Sequence, residues 1–451
     1  MTRQSDDMSD IEQQEKLLAS INAGQLYEVS RQLSQLHPSE IADLLESLPT
    51  KDRGLVWDQV GPELEGDVLA HAHESVKIGL LGQMQPEEVA LVTRGLEADD
   101  VADILNALPD DIADSVLLSM DAQNRERLTS VLSYPEDTAG GLMSLDVVSV
   151  RADVTLDVVA RYLRKKGTIP DQTDRLMVVD RENTCLGVLP LADILTRKPD
   201  ATVGEVLVSE FMIAADTSAR AVAKIFEQRD LFSAAVVDTE GKLLGRITVD
   251  DVVDVIQEQA EATVLNMAGL SDEDIFAPVL TSTKRRAVWL GINLLTALLA
   301  SWVIGRFEET IQELVALAIL MPIVASMGGI AGSQTLTLSI RGLAVGQINK
   351  RNARSLMNKE LAVGIFNGVI WACVVGTVSI FWFNSYPLGI IIGLAMFVNL
   401  SVAALAGSMI PIILNRLGVD PAIAGSVLLT TVTDVVGFMT FLGLAALYLG
   451  N

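Results

Sequence analysis

The chain has 451 residues, half of them hydrophobic, and carries 58 acidic against 33 basic side chains for a formal net charge of −25. It is too long and too uneven for one domain, and the acidic excess argues against a nucleic-acid partner and for cations. The two cysteines, Cys185 and Cys373, fall in different regions and support neither a disulfide framework nor a thiolate metal site.

The charge is unevenly spread. From Thr281 onward ten Lys/Arg stand against six Asp/Glu, a net of +4, whereas residues 1–280 hold the other 23 basic and 52 acidic side chains, a net of −29. An acidic soluble region thus precedes a nearly uncharged apolar one. The polar start MTRQSDDMSD lacks the apolar run of a signal peptide, which predicts a cytosolic soluble region.

Residues 11–133 read as helices throughout, with apolar positions recurring at three and four between Pro and Gly punctuation. HPSEIADLLESLP (37–49) and EADDVADILNALP (97–109) form a weak internal repeat, which predicts short helices stacked into a small superhelix. His37, His71 and His73 show no metal-site spacing. The HAH run places His71 and His73 on different sides of one helix, in surface or core packing.

From 134 to 258 the period changes. The β-type runs LMVVD (176–180) and AAVVD (234–238) are each followed by a turn and a Leu-Gly segment, and helical stretches (155–166 and 217–229) precede them. Two βαββα-like copies of about 60 residues result. Here the chain resembles a pair of CBS domains, a regulatory module that often binds adenine nucleotides. The second copy keeps Gly245, Thr248 and Asp251 in a Gly-x-x-Thr-x-x-Asp pattern, whose Asp typically holds a ribose and whose Thr a phosphate; the first copy has Pro190 at the Ser/Thr place. A purely structural pair and an ATP-binding one are both open. An acidic helical connector then leads to the membrane.

Five apolar stretches follow, 287–305, 314–340, 361–383, 388–414 and 422–449, each long enough to cross a bilayer. Their excess length predicts tilt or broken helices. Lys284, Arg285 and Arg286 precede the first, Arg341, Lys350, Arg351, Arg354 and Lys359 follow the second, and Arg416 follows the fourth. Basic loops face the cytosol, so the N-terminus is cytosolic and the C-terminus outside. In the second stretch Pro322 and the glycines 328, 329 and 332 weaken a helix, while Ser333, Gln334, Thr335 and Thr337 add polar groups. Such loosening suits a watery cavity, and the glycines equally suit close helix packing. In the last stretch Ser426, Thr430 and Asp434 lie four residues apart on one stripe, with Gly437 beyond. A mid-membrane carboxylate costs roughly 2.5–3.5 kcal/mol, so it faces protein or an ion path. No nucleophile–base pair, P-loop or His/Cys cluster points to an enzyme.

The order of these parts, with YPEDTAGGLM (134–143), VDDVVDV (249–255), the Pro-x5-Gly-Gly stretch ending in GSQ, and DPAIAGSVLLTTVTDVVGF (420–438), resembles the MgtE family of magnesium channels over essentially the whole chain. The resemblance implies a multidomain architecture. An all-α superhelical N domain (1–133), an α/β tandem CBS pair (134–258), a plug-like connector helix (259–283) and an α-helical pore domain of five spans (284–451) follow in order. It implies a homodimer in an inner (plasma) membrane, with a pore lined by the second and fifth spans. Asp434, Thr430, Ser426, Gly328, Gly329 and Gln334 would form the selective region. Regulatory Mg²⁺ would lie at Asp99, Asp103, Asp251 and Asp254, with Asp420 at the cytosolic mouth. The alternatives are a secondary transporter of Mg²⁺, Co²⁺ or Mn²⁺, and a membrane-anchored nucleotide sensor that carries no flux.

Overall fold

The computed structural model describes residues 17–450 apart from 18, 22, 171, 271–278 and 350. The segment MTRQSDDMSD, part of the connector and Lys350 of the basic loop lie outside the described residues. The chain divides into two compact units at about Ala260.

The first unit begins with short helices of 7–11 residues, from Leu26–Leu33 to Ala122–Leu132. Local chemistry keeps them short. The His37 ring accepts from the Ser39 N–H to start Pro38–Ser47, and Asp121 accepts from Gln123 and Asn124 to start Ala122–Leu132. The internal repeat has a structural meaning. Ile41, Ala42, Leu44 and Leu45 are buried in one copy, and Val101, Ala102, Ile104 and Leu105 occupy the same places in Ala98–Asn106. The HAH expectation needs correcting. His71 ends helix Glu65–His71, Ala72 turns extended, and His73 caps the next helix, Glu74–Leu81, so the two rings belong to different helices.

Two three-stranded sheets follow, β1 (Ser149–Arg151), β2 (Arg175–Val179) and β3 (Cys185–Pro190), then β4 (Ile213–Ala214), β5 (Ser233–Val237) and β6 (Leu243–Thr248). In each the first pair is parallel and the second antiparallel, and the same register shift recurs at Val178/Val179 and Val236/Val237. Met177, Val179, Cys185 and Val188 share one core cluster with Ala235, Val237 and Leu243. That joint core accounts for Cys185 as a packing residue. Helix Val249–Met267 starts directly at the end of β6 and runs through the expected 258/259 boundary without a break.

The second unit contains five helices long and apolar enough to cross a membrane: Ser282–Gly305, Ala316–Ala344, Ala353–Phe383, Tyr386–Arg416 and Pro421–Leu449. A short helix, Glu308–Glu313, links the first two spans, and nothing in the apolar pattern announces it. The third span starts eight residues before the expected 361, and Glu360, which reads as loop, lies buried inside it with Thr335 donating to its carboxylate at 3.3 Å. The second span is one continuous helix despite Pro322 and its glycines. Those glycines mark close approach instead. A Cβ on Gly332 would meet Leu429 of the fifth span at 2.8 Å, and one on Gly407 of the fourth would meet the Gly332 carbonyl at 2.6 Å. The third and fourth spans turn back on each other through Asn384, which holds a left-handed conformation. There Gly376 and Gly389 bring the two backbones together, so that a Cβ on Gly389 would lie 2.7 Å from the Gly376 carbonyl.

Candidate functional site

The second and fifth spans border an open groove of about 830 Å³. Ser326, Ser333, Gln334 and Thr337 reach it from the second span, and Thr430 and Asp434 from the fifth. Spacings of 7, 8 and 11 residues from Ser326 place the first four on one helical face, and all four are exposed. Asp434 is only half-buried, and no hydrogen bond or ion pair engages it among the described residues. The Thr430 hydroxyl donates to the Ser426 carbonyl at 3.0 Å, which leaves its oxygen as an acceptor. The result is a groove whose polar atoms are mostly oxygens, matched to a hard cation rather than a transition metal.

Of the residues singled out for this region, Gly329, Gln334, Thr430 and Asp434 come together at the groove. Gly328 faces away from it, against Asn399 of the fourth span. Ser426 is not part of the lining. Ser326 was missed, although its seven-residue distance from Ser333 was available as a signal. Asp420 caps the fifth span, accepting from the Ala422 N–H at 2.8 Å.

In the first unit, helix Ala98–Asn106 and the start of helix Val249–Met267 bring acidic groups into one neighbourhood. Asp99 is buried, and its Oδ1 has no hydrogen-bond partner among the described residues. Burial, then the Asp251 carboxylate, pushes Asp99 up to about 9. Burial likewise raises Asp103 to about 7, and burial followed by Asp250 raises Asp251 to about 7. Asp100 rises to about 6, chiefly by burial, and Asp254, Glu258 and Glu136 are raised by the same cause. Lys77 and His71 offset part of the charge. Asp99, Asp103, Asp251 and Asp254 thus share one cluster, and Asp100, Glu136 and Glu258 join it. Among the described residues no three His, Cys, Asp or Glu converge tightly enough to hold a bare metal ion.

The nucleotide pattern is engaged within the protein. Asp251 Oδ2 accepts from the Thr248 N–H at 3.1 Å and from its hydroxyl at 3.0 Å. At Gly245 a Cβ would lie 2.5 Å from the Ser144 carbonyl, so close backbone approach alone requires glycine there.

Comparison with known proteins matches three of these parts and most of the chain's length. The family described as "MgtE intracellular N domain" matches residues 36–137, "CBS domain" matches 139–200 and 203–258, and "Divalent cation transporter" (MgtE) matches 321–444. The magnesium transporter MgtE of Thermus thermophilus is 30% identical over 430 residues, covering 91% of this chain and 95% of that one. The magnesium transporter MgtE of Bacillus subtilis is 26% identical over 437 residues, 96% and 97% of the two chains. Among solved structures, the cytosolic domain of the Mg²⁺ channel MgtE in complex with ATP is similar with a TM-score of 0.50 and 28% identity, over 54% of this chain and 99% of that one. Helical N domain, CBS pair and five apolar helices in this order, together with relatives matched end to end, make the chain a multi-pass membrane protein of the MgtE family of divalent cation transporters.

Proposed function

We propose that the protein is a magnesium-selective channel, gated by cytosolic Mg²⁺ and working as a homodimer that admits the ion across an inner (plasma) membrane. The observation that carries this reading is the groove itself. An exposed amide and a carboxylate, with a row of hydroxyls beside them, on two membrane-spanning helices are costly against lipid, because hydrocarbon supplies neither of them a partner. A second copy related by a two-fold axis would cover both grooves at once and enclose a water-filled path. Two Asp434 carboxylates would then face each other across it.

Magnesium takes six oxygens at about 2.1 Å and dehydrates reluctantly, so paired carboxylates and hydroxyls would hold it through its water shell. The magnesium transporters of Thermus and Bacillus support this choice of ion. The domains are assigned as N domain 1–133, CBS pair 134–258, connector 259–283 and pore domain 284–451, with the N-terminus cytosolic and the C-terminus outside.

The soluble acids supply the gate. Asp99 Oδ1, buried without a partner, needs a proton or a cation. Asp99, Asp103, Asp251 and Asp254 would be bridged by hydrated Mg²⁺ when the ion is abundant, and would repel when it is scarce. The bridged state closes the path, and Asp420 adds charge at its cytosolic mouth.

ATP is the second ligand, favoured by its presence on the related cytosolic domain. Gly245, Thr248 and Asp251 would hold it. Binding there must open the Thr248–Asp251 contact.

Purified protein in liposomes with low magnesium on the cytosolic face should pass Mg²⁺ down its gradient without a proton or sodium gradient. Flux that vanishes when those gradients are removed would make it a coupled transporter. No flux under any gradient would leave a membrane-anchored sensor.

A further inference from the structure

The fourth span contributes nothing to the lining of the groove, yet one of its side chains stands between the two helices that do. Asn399 is fully buried, and its Nδ2 donates to the Val324 carbonyl of the second span at 2.8 Å. On one side it abuts Gly328 of that span, where a Cβ would lie 2.3 Å from Nδ2. On the other it abuts Gly437 of the fifth span, where a Cβ would lie 2.7 Å from the same atom. Gly329, next to Gly328, borders the groove, and Asp434 lies one turn before Gly437. The amide therefore sits directly behind the groove, wedged into two notches that only glycine leaves open.

We propose that Asn399 is a positioning residue that sets the separation of the second and fifth spans, and with it the width of the cation path at Asp434. This rests on the channel reading given above. A buried amide at membrane depth is a costly way to fill space, and its Oδ1 has no partner among the described residues. An apolar side chain would pack there without that cost. What the amide adds is a directional bond to Val324, which fixes the second span in rotation as well as in distance. The Gly328 and Gly437 notches fix where the wedge enters. Selection of a hydrated ion depends on the distance between opposing oxygens, so a shift of a few tenths of an ångström behind the groove alters which ion fits.

The test uses the full chain in liposomes, with Mg²⁺ flux measured over a range of concentrations and Ca²⁺ flux beside it. Gly437→Ala should raise the half-saturating Mg²⁺ concentration about tenfold and narrow the preference over Ca²⁺, since misplacement of a binding group by about 1 Å can cost up to about a hundredfold. Asn399→Leu, close to the amide in shape, should act in the same direction, because it cannot donate to the Val324 carbonyl. In an Asn399→Ala background, Gly437→Ala should add little. The amide it collides with is gone, and the next atom in line, a Val324 methyl 3.1 Å from the new Cβ, has to give way by a few tenths of an ångström. Asn399→Ser packs without collision but is too short to reach Val324, and it decides the matter if the other variants fail to fold. The proposal is overturned if these variants keep the wild-type half-saturation and Mg²⁺/Ca²⁺ ratio and lose only folded protein. It is also overturned if the two substitutions add independently. A wild type without flux overturns the channel reading instead.

Discussion

Asp434→Ala should reduce Mg²⁺ flux by about two orders of magnitude while the protein still folds. Among the described residues that line the groove Asp434 is the only charged group, beside hydroxyls and an amide. A divalent ion at membrane depth needs formal negative charge near it, and a carboxylate held there costs roughly 3 kcal/mol that only the ion offsets. Loss of that stabilisation corresponds to about 100-fold at 1.4 kcal/mol per decade. Folding should survive because no hydrogen bond or ion pair of Asp434 is broken among the described residues. Asp434→Asn keeps an oxygen without the charge and should fall between the two. Thr430→Ala should cost far less, since its hydroxyl proton is already engaged by the Ser426 carbonyl. Liposome flux compared with gel-filtration behaviour of each variant decides it, and equal flux in wild type and Asp434→Ala would remove Asp434 from the path.

Without magnesium, the soluble unit should lose stability as pH rises from about 4 to about 9, most steeply below about 7. Asp99, Asp103 and Asp251 sit at about 9, 7 and 7 in the folded protein, far above the usual carboxylate range. The packed state therefore holds protons that the unfolded chain releases near pH 4. Below that pH both states are protonated and the acids cost nothing. Above it the packed state is progressively penalised, and the penalty is complete once pH passes the folded values. Each tenfold difference in proton affinity between the folded and unfolded chain is worth about 1.4 kcal/mol, so a thermal midpoint lower by about 5 °C or more is expected for a unit of this size. Saturating Mg²⁺ should remove most of the fall, because a cation then takes the place of the protons. Unfolding of the soluble unit within the full chain, scanned over pH with and without Mg²⁺, reads this directly. A midpoint that rises with pH, or that ignores Mg²⁺ at pH 9, would detach the cluster from cation sensing.

Much of this organisation can be read from residues close in sequence. LMVVD and AAVVD became β2 and β5 because alternation and turn chemistry are local, and the fifth span lies within one residue of its expected start for the same reason. Helical spacing also placed Thr430 and Asp434 on one face. The errors arise where a distant partner decides. Gly328 and Gly329 are indistinguishable by spacing, and only Asn399, some 70 residues later, turns one of them inward. Glu360 reads as loop until Thr335 supplies a buried donor. Pro322 and the glycines suggested a broken helix because propensity measured in water counts for less where backbone hydrogen bonds have no solvent to turn to. His73 was misplaced because nothing in HAH announces that Ala72 leaves the helix.

The paired glycines of the third and fourth spans bear on how the protein is made. A turn of two residues at Asn384 and Ser385, with Gly376 and Gly389 in mutual backbone contact, joins these helices before any later part of the chain exists. They are therefore suited to enter the bilayer together as one helical hairpin during synthesis, with Asn399 already inside it. A chain ending at Arg416 and held on the ribosome by an added tether long enough to clear the exit tunnel should already show the two spans cross-linkable at that turn. The fifth span, bearing the acid, then arrives later and docks its Gly437 notch onto a wedge that is waiting in the membrane.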